Sequence, residues 1–222
     1  MGRPHRAFLP AVYVGHVLSG EQEAHLSYIA ARHWFGHAAG PLTILDVGGG
    51  TVEIASGQGS QPLLAHSLPF GARTLTRNWL GKDIDLSGLR AEVTAQVRKS
   101  LPGNGLDGRA VGCSKVLQQM ARLTGARPQR DGPFIPRYLQ LTDLRHWIPR
   151  LASLRAAQRA ELPGISRHRA QQSLAGAVLA EALLTVTGHQ SVQICPWSTK
   201  EGLLLTLLQQ PDAALNPSIL AA

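Results

Sequence analysis

The stretch Leu42-Thr43-Ile44-Leu45-Asp46-Val47-Gly48-Gly49-Gly50-Thr51-Val52-Glu53-Ile54-Ala55 decides how the rest of the chain is read. Leu42 to Val47 is a short apolar run carrying a carboxylate near its end, and Thr51 to Ala55 is a second strand carrying another. Three consecutive glycines join them, so the segment reads as a glycine-turned hairpin. Glycine has no Cβ, which lets a phosphate group come close to the backbone N–H groups of such a loop. A carboxylate on either side can hold a hard cation such as Mg²⁺, directly or through water. A plain hairpin with two surface acids has the same local pattern, so the neighbouring segments have to decide between the two.

Upstream, Ser19 caps a helix with acids in its first turn, Glu21 and Glu23. The apolar spacing of Leu26, Ile29 and Ala30 carries this helix to Trp34 or Phe35, and Gly36 stops it. Downstream, Gly57 to Gly59 is a turn and Pro62 to Leu68 a third strand, extending the antiparallel ribbon. Leu86 to Leu101 is an amphipathic helix, broken by Pro102-Gly103-Asn104-Gly105. Arg109 to Cys113 is a strand, and Ser114 caps a helix ending near Gly125. Leu141 to Ala160 is helical with Pro149 as a kink or break, and Leu162 to Ile165 is a turn. Arg167 to Thr187 is a long helix with a small-residue face, stopped by Gly188. Ser191 to Cys195 is a strand, and Ser198 to Gln210 a final helix. An early hairpin followed by alternating helices and strands means α/β with a mixed sheet.

Composition narrows the function classes. The chain has 222 residues, 44% of them hydrophobic, which suits one domain, or a domain and a piece of another. No apolar run reaches the roughly 18 residues of a membrane span, and the first residues lack the apolar core of a secretion signal. Two cysteines, Cys113 and Cys195, are too few for a disulfide scaffold. A cytoplasmic protein with no membrane partner is therefore expected. The net charge of +8 is uneven: residues 1–60 carry −1 and the remainder +9. Arg145, Arg150, Arg155, Arg159, Arg167 and Arg169 face only Glu161 in sequence between 144 and 170, a run that attracts polyanions unless it is merely a solvated helix face. Aromatics make up 5% of the chain and none is interleaved with these arginines, and no zinc-finger or RNP-like spacing occurs. No specific nucleic-acid partner is expected.

Two further segments carry chemistry in context. Ser19-Gly20-Glu21-Gln22-Glu23-Ala24 is a capped helix start unless Glu23 faces a phosphate site and activates water. Gly112-Cys113-Ser114-Lys115 is a small-residue turn opening a helix, which presents free N–H groups and a lysine to an anion. It is neither a complete P-loop nor a nucleophile elbow, since position 116 is valine. His33 and His37 have the four-residue spacing of a metal pair, but Gly36 lies between them at a helix end and they read as incidental. Cys195 reads as a buried thiol.

Taken in order, these motifs resemble the bacterial exopolyphosphatase and guanosine pentaphosphate phosphohydrolase family. Val17 to Ala24 is similar to its Ser-Gly-x-Glu-Glu-Ala motif, and Asp46 to Glu53 to its Asp-Ile-Gly-Gly-Gly-Ser-Thr-Glu loop. Leu68 to Ala72 resembles its Leu-Pro-x-Gly-Ala turn, and Gly112 to Val116 its third phosphate turn. Leu162 to Ser166, Ala175 to Ala177 and the Gln193 to Gly202 ending are also similar, so the resemblance spans about residues 12–208.

The resemblance implies an actin-like ATPase (ribonuclease H-like) α/β fold, with a mixed sheet flanked by helices. It assigns Glu23 as general base, Asp46 and Glu53 to the Mg²⁺ site, and Gly48, Gly49, Gly50, Thr51, Gly112 and Ser114 to phosphate binding. The implied reaction is release of terminal orthophosphate from inorganic polyphosphate or guanosine pentaphosphate, with homodimerisation left open. A non-catalytic domain holding polyphosphate or guanosine tetra- or pentaphosphate is the alternative, and a phosphotransferase of the same fold a weaker third. Gln22 departs from the family's paired glutamates, Thr51-Val52 from its Ser-Thr, and Cys113 and Val116 from its threonines; Arg73 stands one position before an arginine of some relatives. No Asp-x-Gly-Ser-Asn-type loop precedes these motifs. The chain is accordingly expected to be the C-terminal domain of a two-domain fold whose N-terminal domain is missing. Residues 1–35 would be an interdomain remnant with the Ser-Gly-Glu helix, and residues 36–222 the domain itself.

Overall fold

The computed structural model describes residues 17–79, 85–101, 103 and 106–209. The part of the expected remnant before residue 17, most of the Pro102–Gly105 break, and Gln210 onward lie outside the described residues. The elements run α1 (Gly20–Phe35), β1 (Leu42–Val47), β2 (Val52–Gly57), β3 (Leu64–Leu68), α2 (Ala72–Trp79), α3 (Leu86–Ser100), β4 (Arg109–Gly112), α4 (Lys115–Leu123), β5 (Tyr138–Gln140), α5 (Leu141–Ser153), α6 (Ala156–Arg159), α7 (Ser173–Thr187), β6 (Ser191–Ile194) and α8 (Thr199–Gln209).

One six-stranded sheet has the order β3-β2-β1-β4-β6-β5. The β1–β2–β3 meander is antiparallel, β4 and β6 join β1 in parallel, and β5 closes the other edge antiparallel to β6. Helices cover both faces, as a sheet with parallel central strands requires. On one face, α1 lies over Leu42, Ile44, Ala55, Val111, Cys113 and Cys195, and α8 packs against α1. On the other, α2, α3, α4, α5 and α7 bury Leu45, Val47, Val52, Ile54, Ala110 and Val192 in the larger core. Helix α7 is buried on nearly every side, and its Gly176 lets α4 approach: a Cβ there would stand 2.6 Å from Val116 Cγ1. In α1, Gln22 completes a capping box with Ser19.

Most expected elements are present, with local differences. Of the kink or break expected at Pro149, the break does not occur: Pro149 lies inside α5, which ends after Ser153, where Leu154 turns extended (φ −100°, ψ 140°). Arg167–Arg169 is a separate 3₁₀ turn, and α7 starts only at Ser173 because Gln172 has ψ 1°. Helix α2 and strand β5 were not expected. The arginine run does not form one polyanion face. Arg145 reaches Glu181 of α7 at 3.3 Å, Arg159 is buried with its Nε donating to Leu151 O at 2.7 Å, and Arg150 lies over the Trp147 ring. Glu181, also paired with Arg90 of α3, ties three helices together.

Candidate active site

Strand parity brings the acids to one place. Side chains alternate across a strand, and Leu42 and Ile44 of β1 face α1, so Asp46 does too. In β2, Ala55 faces α1, so Glu53 does as well. Asp46 and Glu53 are direct cross-strand partners. Helix α1 supplies Glu23, and four residues on, one turn further along the same face, Ser27, whose Oγ donates to Asp46 Oδ2 at 3.3 Å and lies 2.9 Å from Thr199 Oγ1. Strand β3 supplies Ser67, whose Oγ donates to Glu53 Oε1 at 3.4 Å. Gly20 fits over Ser67 only because it has no side chain.

The glycine loop is held by main chain. Gly48 N–H donates to Thr51 O at 2.9 Å. The carbonyls of Gly48 and Gly49 accept from the N–H groups of Ala72 (3.0 Å), Arg73 (2.9 Å) and Thr74 (3.1 Å) at the start of α2. A Cβ on Gly71 would lie 2.6 Å from Gly48 O, whereas one on Gly50 would meet nothing within 4 Å. Gly48 N–H is therefore committed, and the N–H groups of Gly49, Gly50 and Thr51 have no partner among the described residues. Gly50 faces open space, Gly49 lies under the Arg73 guanidinium and Thr51 N packs against Gly71. Gly112 has a different place: its bare Cα packs under Leu117, where a Cβ would come within 2.8 Å of Cδ1. Its carbonyl accepts from Cys195 N–H at 2.9 Å. Ser114 caps α4, its Oγ accepting from Leu117 N–H.

Burial and crowding set the electrostatics. Asp46 is pushed up to about 6, chiefly by burial and further by Glu23, against the Ser27 hydrogen bond. Glu53 is pushed up to about 7, again chiefly by burial, with Asp46 and Glu23 adding to the rise and Thr51 and Ser67 opposing it. Glu23 is raised by burial. A hollow of about 440 Å³ opens at Asp46, lined also by Gly48, Gly49, Ser114, Lys115, Lys200 and Glu201; Glu23 and Glu53 lie outside its lining. Arg169 also lines it.

No preformed cage of three or more metal-ligating side chains occurs among the described residues. Asp46 and Glu53 nonetheless suit Mg²⁺, which commonly binds one or two carboxylates and takes its remaining oxygens from water and phosphate. Their burial without a cationic partner is the strain such an ion would relieve. Sequence reasoning missed Ser27, Ser67 and Lys200. The four-residue step from Glu23 was a readable signal for Ser27. Ser67 needed the register of β2 with β3, and Lys200 the docking of α8 onto α1, where Gly202 lies against the Leu26 carbonyl.

Comparison with known proteins gives a consistent result. The family model described as the Ppx/GppA phosphatase family matches residues 12–211. An uncharacterized protein of Streptomyces coelicolor is 44% identical over 204 residues, 88% of this chain and 61% of that protein. Exopolyphosphatase 1 of Mycobacterium tuberculosis is 40% identical over 198 residues, 86% of this chain and 58% of the relative. The chain thus spans about three fifths of the length of these curated relatives. Among solved structures, the type II variant of the Aquifex aeolicus Ppx/GppA phosphatase superposes with a TM-score of 0.71 at 21% identity, covering 83% of this chain and 62% of that one. An exopolyphosphatase of Cytophaga hutchinsonii gives 0.74 at 20% identity, covering 87% and 65%.

Proposed function

We propose, from the premise that the chain belongs to the Ppx/GppA phosphatase family, that it takes part in hydrolysing the terminal phosphoanhydride of inorganic polyphosphate, or of guanosine pentaphosphate. The observation that carries this reading is the convergence of Glu23, Asp46 and Glu53 beside three unpartnered amides. The terminal phosphoryl group sits on the N–H groups of Gly49, Gly50 and Thr51, with Lys115 and Lys200 facing its oxygens. Glu23 accepts a proton from a water as the water oxygen bonds to phosphorus. The bridging P–O bond breaks, and orthophosphate leaves from the shortened chain. Burial makes Glu23 a stronger base than an exposed glutamate. Mg²⁺ held by Asp46 and Glu53 would neutralise the charge building on the phosphoryl oxygens.

The test is orthophosphate release from polyphosphate with and without Mg²⁺, in the chain as it stands and in Glu23→Gln. The expected loss in the variant is on the order of 10²-fold or more. Undiminished turnover in Glu23→Gln would remove Glu23 from the role of base. Tight binding without turnover under any condition would support instead a polyphosphate- or guanosine polyphosphate-binding role.

A further inference from the structure

A second hollow, of about 330 Å³, lies between α2 and the Arg167–Arg169 turn. It adjoins the first, because Gly49 and Arg169 line both. Arg73, His168 and Arg169 line it, together with Thr76 and two glutamines, and no carboxylate does. Among the described residues none of these three basic side chains forms an ion pair. Arg73 lies close over the glycine loop. Its N–H donates to Gly49 O at 2.9 Å, and its guanidinium folds back over the same glycine, 3.0 Å from where a Cβ would stand.

A cationic hollow without acids, opening directly off a phosphate cradle, fits a ligand with several consecutive negative groups. A phosphomonoester held at the cradle has nothing to place there. A chain of phosphates has one charged group per link, and an arginine fork matches such oxygens bidentately. We propose that this hollow holds the phosphates next to the terminal one, so that Arg73 and His168 set a preference for longer phosphate chains. The inference rests on the phosphate-chain reading above and adds to it the side of the cradle on which the chain lies.

The test is calorimetric binding of orthophosphate and tetrapolyphosphate to the full chain, to Arg73→Ala/His168→Ala and to Arg150→Ala. The wild type is expected to bind tetrapolyphosphate more tightly than orthophosphate. The double variant should lose about tenfold or more on tetrapolyphosphate and little on orthophosphate. Arg73→Lys, which keeps the charge without the fork, should recover part of that loss. Arg150→Ala removes an equal charge at a side chain stacked on Trp147 and should change neither affinity. Equal losses on both ligands, no loss in the double variant, or an equal loss in Arg150→Ala would each overturn the subsite alone. A wild type that binds neither ligand would overturn the phosphate-chain reading and the subsite with it.

Discussion

Asp46 and Glu53 sit where a charge is costly, and that has a measurable sign. Each carboxyl titrates higher in the folded chain than in the unfolded one, at about 6 and about 7, because burial favours the neutral form. Their stabilising contribution is therefore full below the unfolded values near 4 and is lost as pH rises through the folded ones. Without divalent cation, the melting temperature should fall between about pH 5 and pH 8, and Asp46→Asn with Glu53→Gln should flatten that fall. Added Mg²⁺ should raise the melting temperature more at the upper end, where the carboxylates are ionised. Calorimetric melting in chelator and in Mg²⁺ checks both statements, and a rise in stability with pH in chelator would contradict them. These acids were readable in the sequence because they flank three glycines. Their convergence with Glu23 was readable only through resemblance, since nothing local says that α1 lies over that face of the hairpin.

At the scale of elements, the glycines separate into structural and open positions. Gly71→Ala forces a Cβ against Gly48 O and Thr51 N at 2.6 and 2.7 Å and should cost about 1–3 kcal/mol. Gly50→Ala points a methyl group into open space, so stability should change by less than about 0.5 kcal/mol while phosphate binding weakens. Denaturant midpoints and phosphate titrations on the two variants distinguish them, and equal effects on both measures would refute the division. The periodic elements were legible: α1 from its cap and stop, α3 and α4 from their amphipathic spacing, the meander from its turns. Helix α2 was not, because its start is fixed by the carbonyls of Gly48 and Gly49, a partnership more than twenty residues distant in sequence. Strand β5 has three residues and exists through its pairing with β6. The long helix expected from Arg167 was cut short by a turn that the apolar pattern does not encode.

Across the whole molecule, two groups of basic residues beyond residue 60 have distinct places. Arg90, Arg145 and Arg159 hold the helical layer together, while Arg73, Lys115, Arg169 and Lys200 line the hollows. Polyphosphate affinity should accordingly weaken as salt is raised past about 0.1 M, and an affinity indifferent to salt would argue against binding in these hollows. The mixed sheet with helices on both faces was legible from the order of its elements, but the fate of each arginine was not, because a charge run says nothing about which member will be buried. The glycine loop is fastened to α2 by three N–H···O=C bonds that depend on no side chain at all. Of residues 72–74, exposed Arg73 can therefore mutate while its backbone N–H keeps its bond, whereas Ala72 is buried in the larger core and Thr74 Oγ1 also donates to Gly50 O at 3.4 Å. On the proposed subsite, a lineage, or an engineer, can retune which anion is preferred at Arg73 while the glycine loop next to it keeps its form.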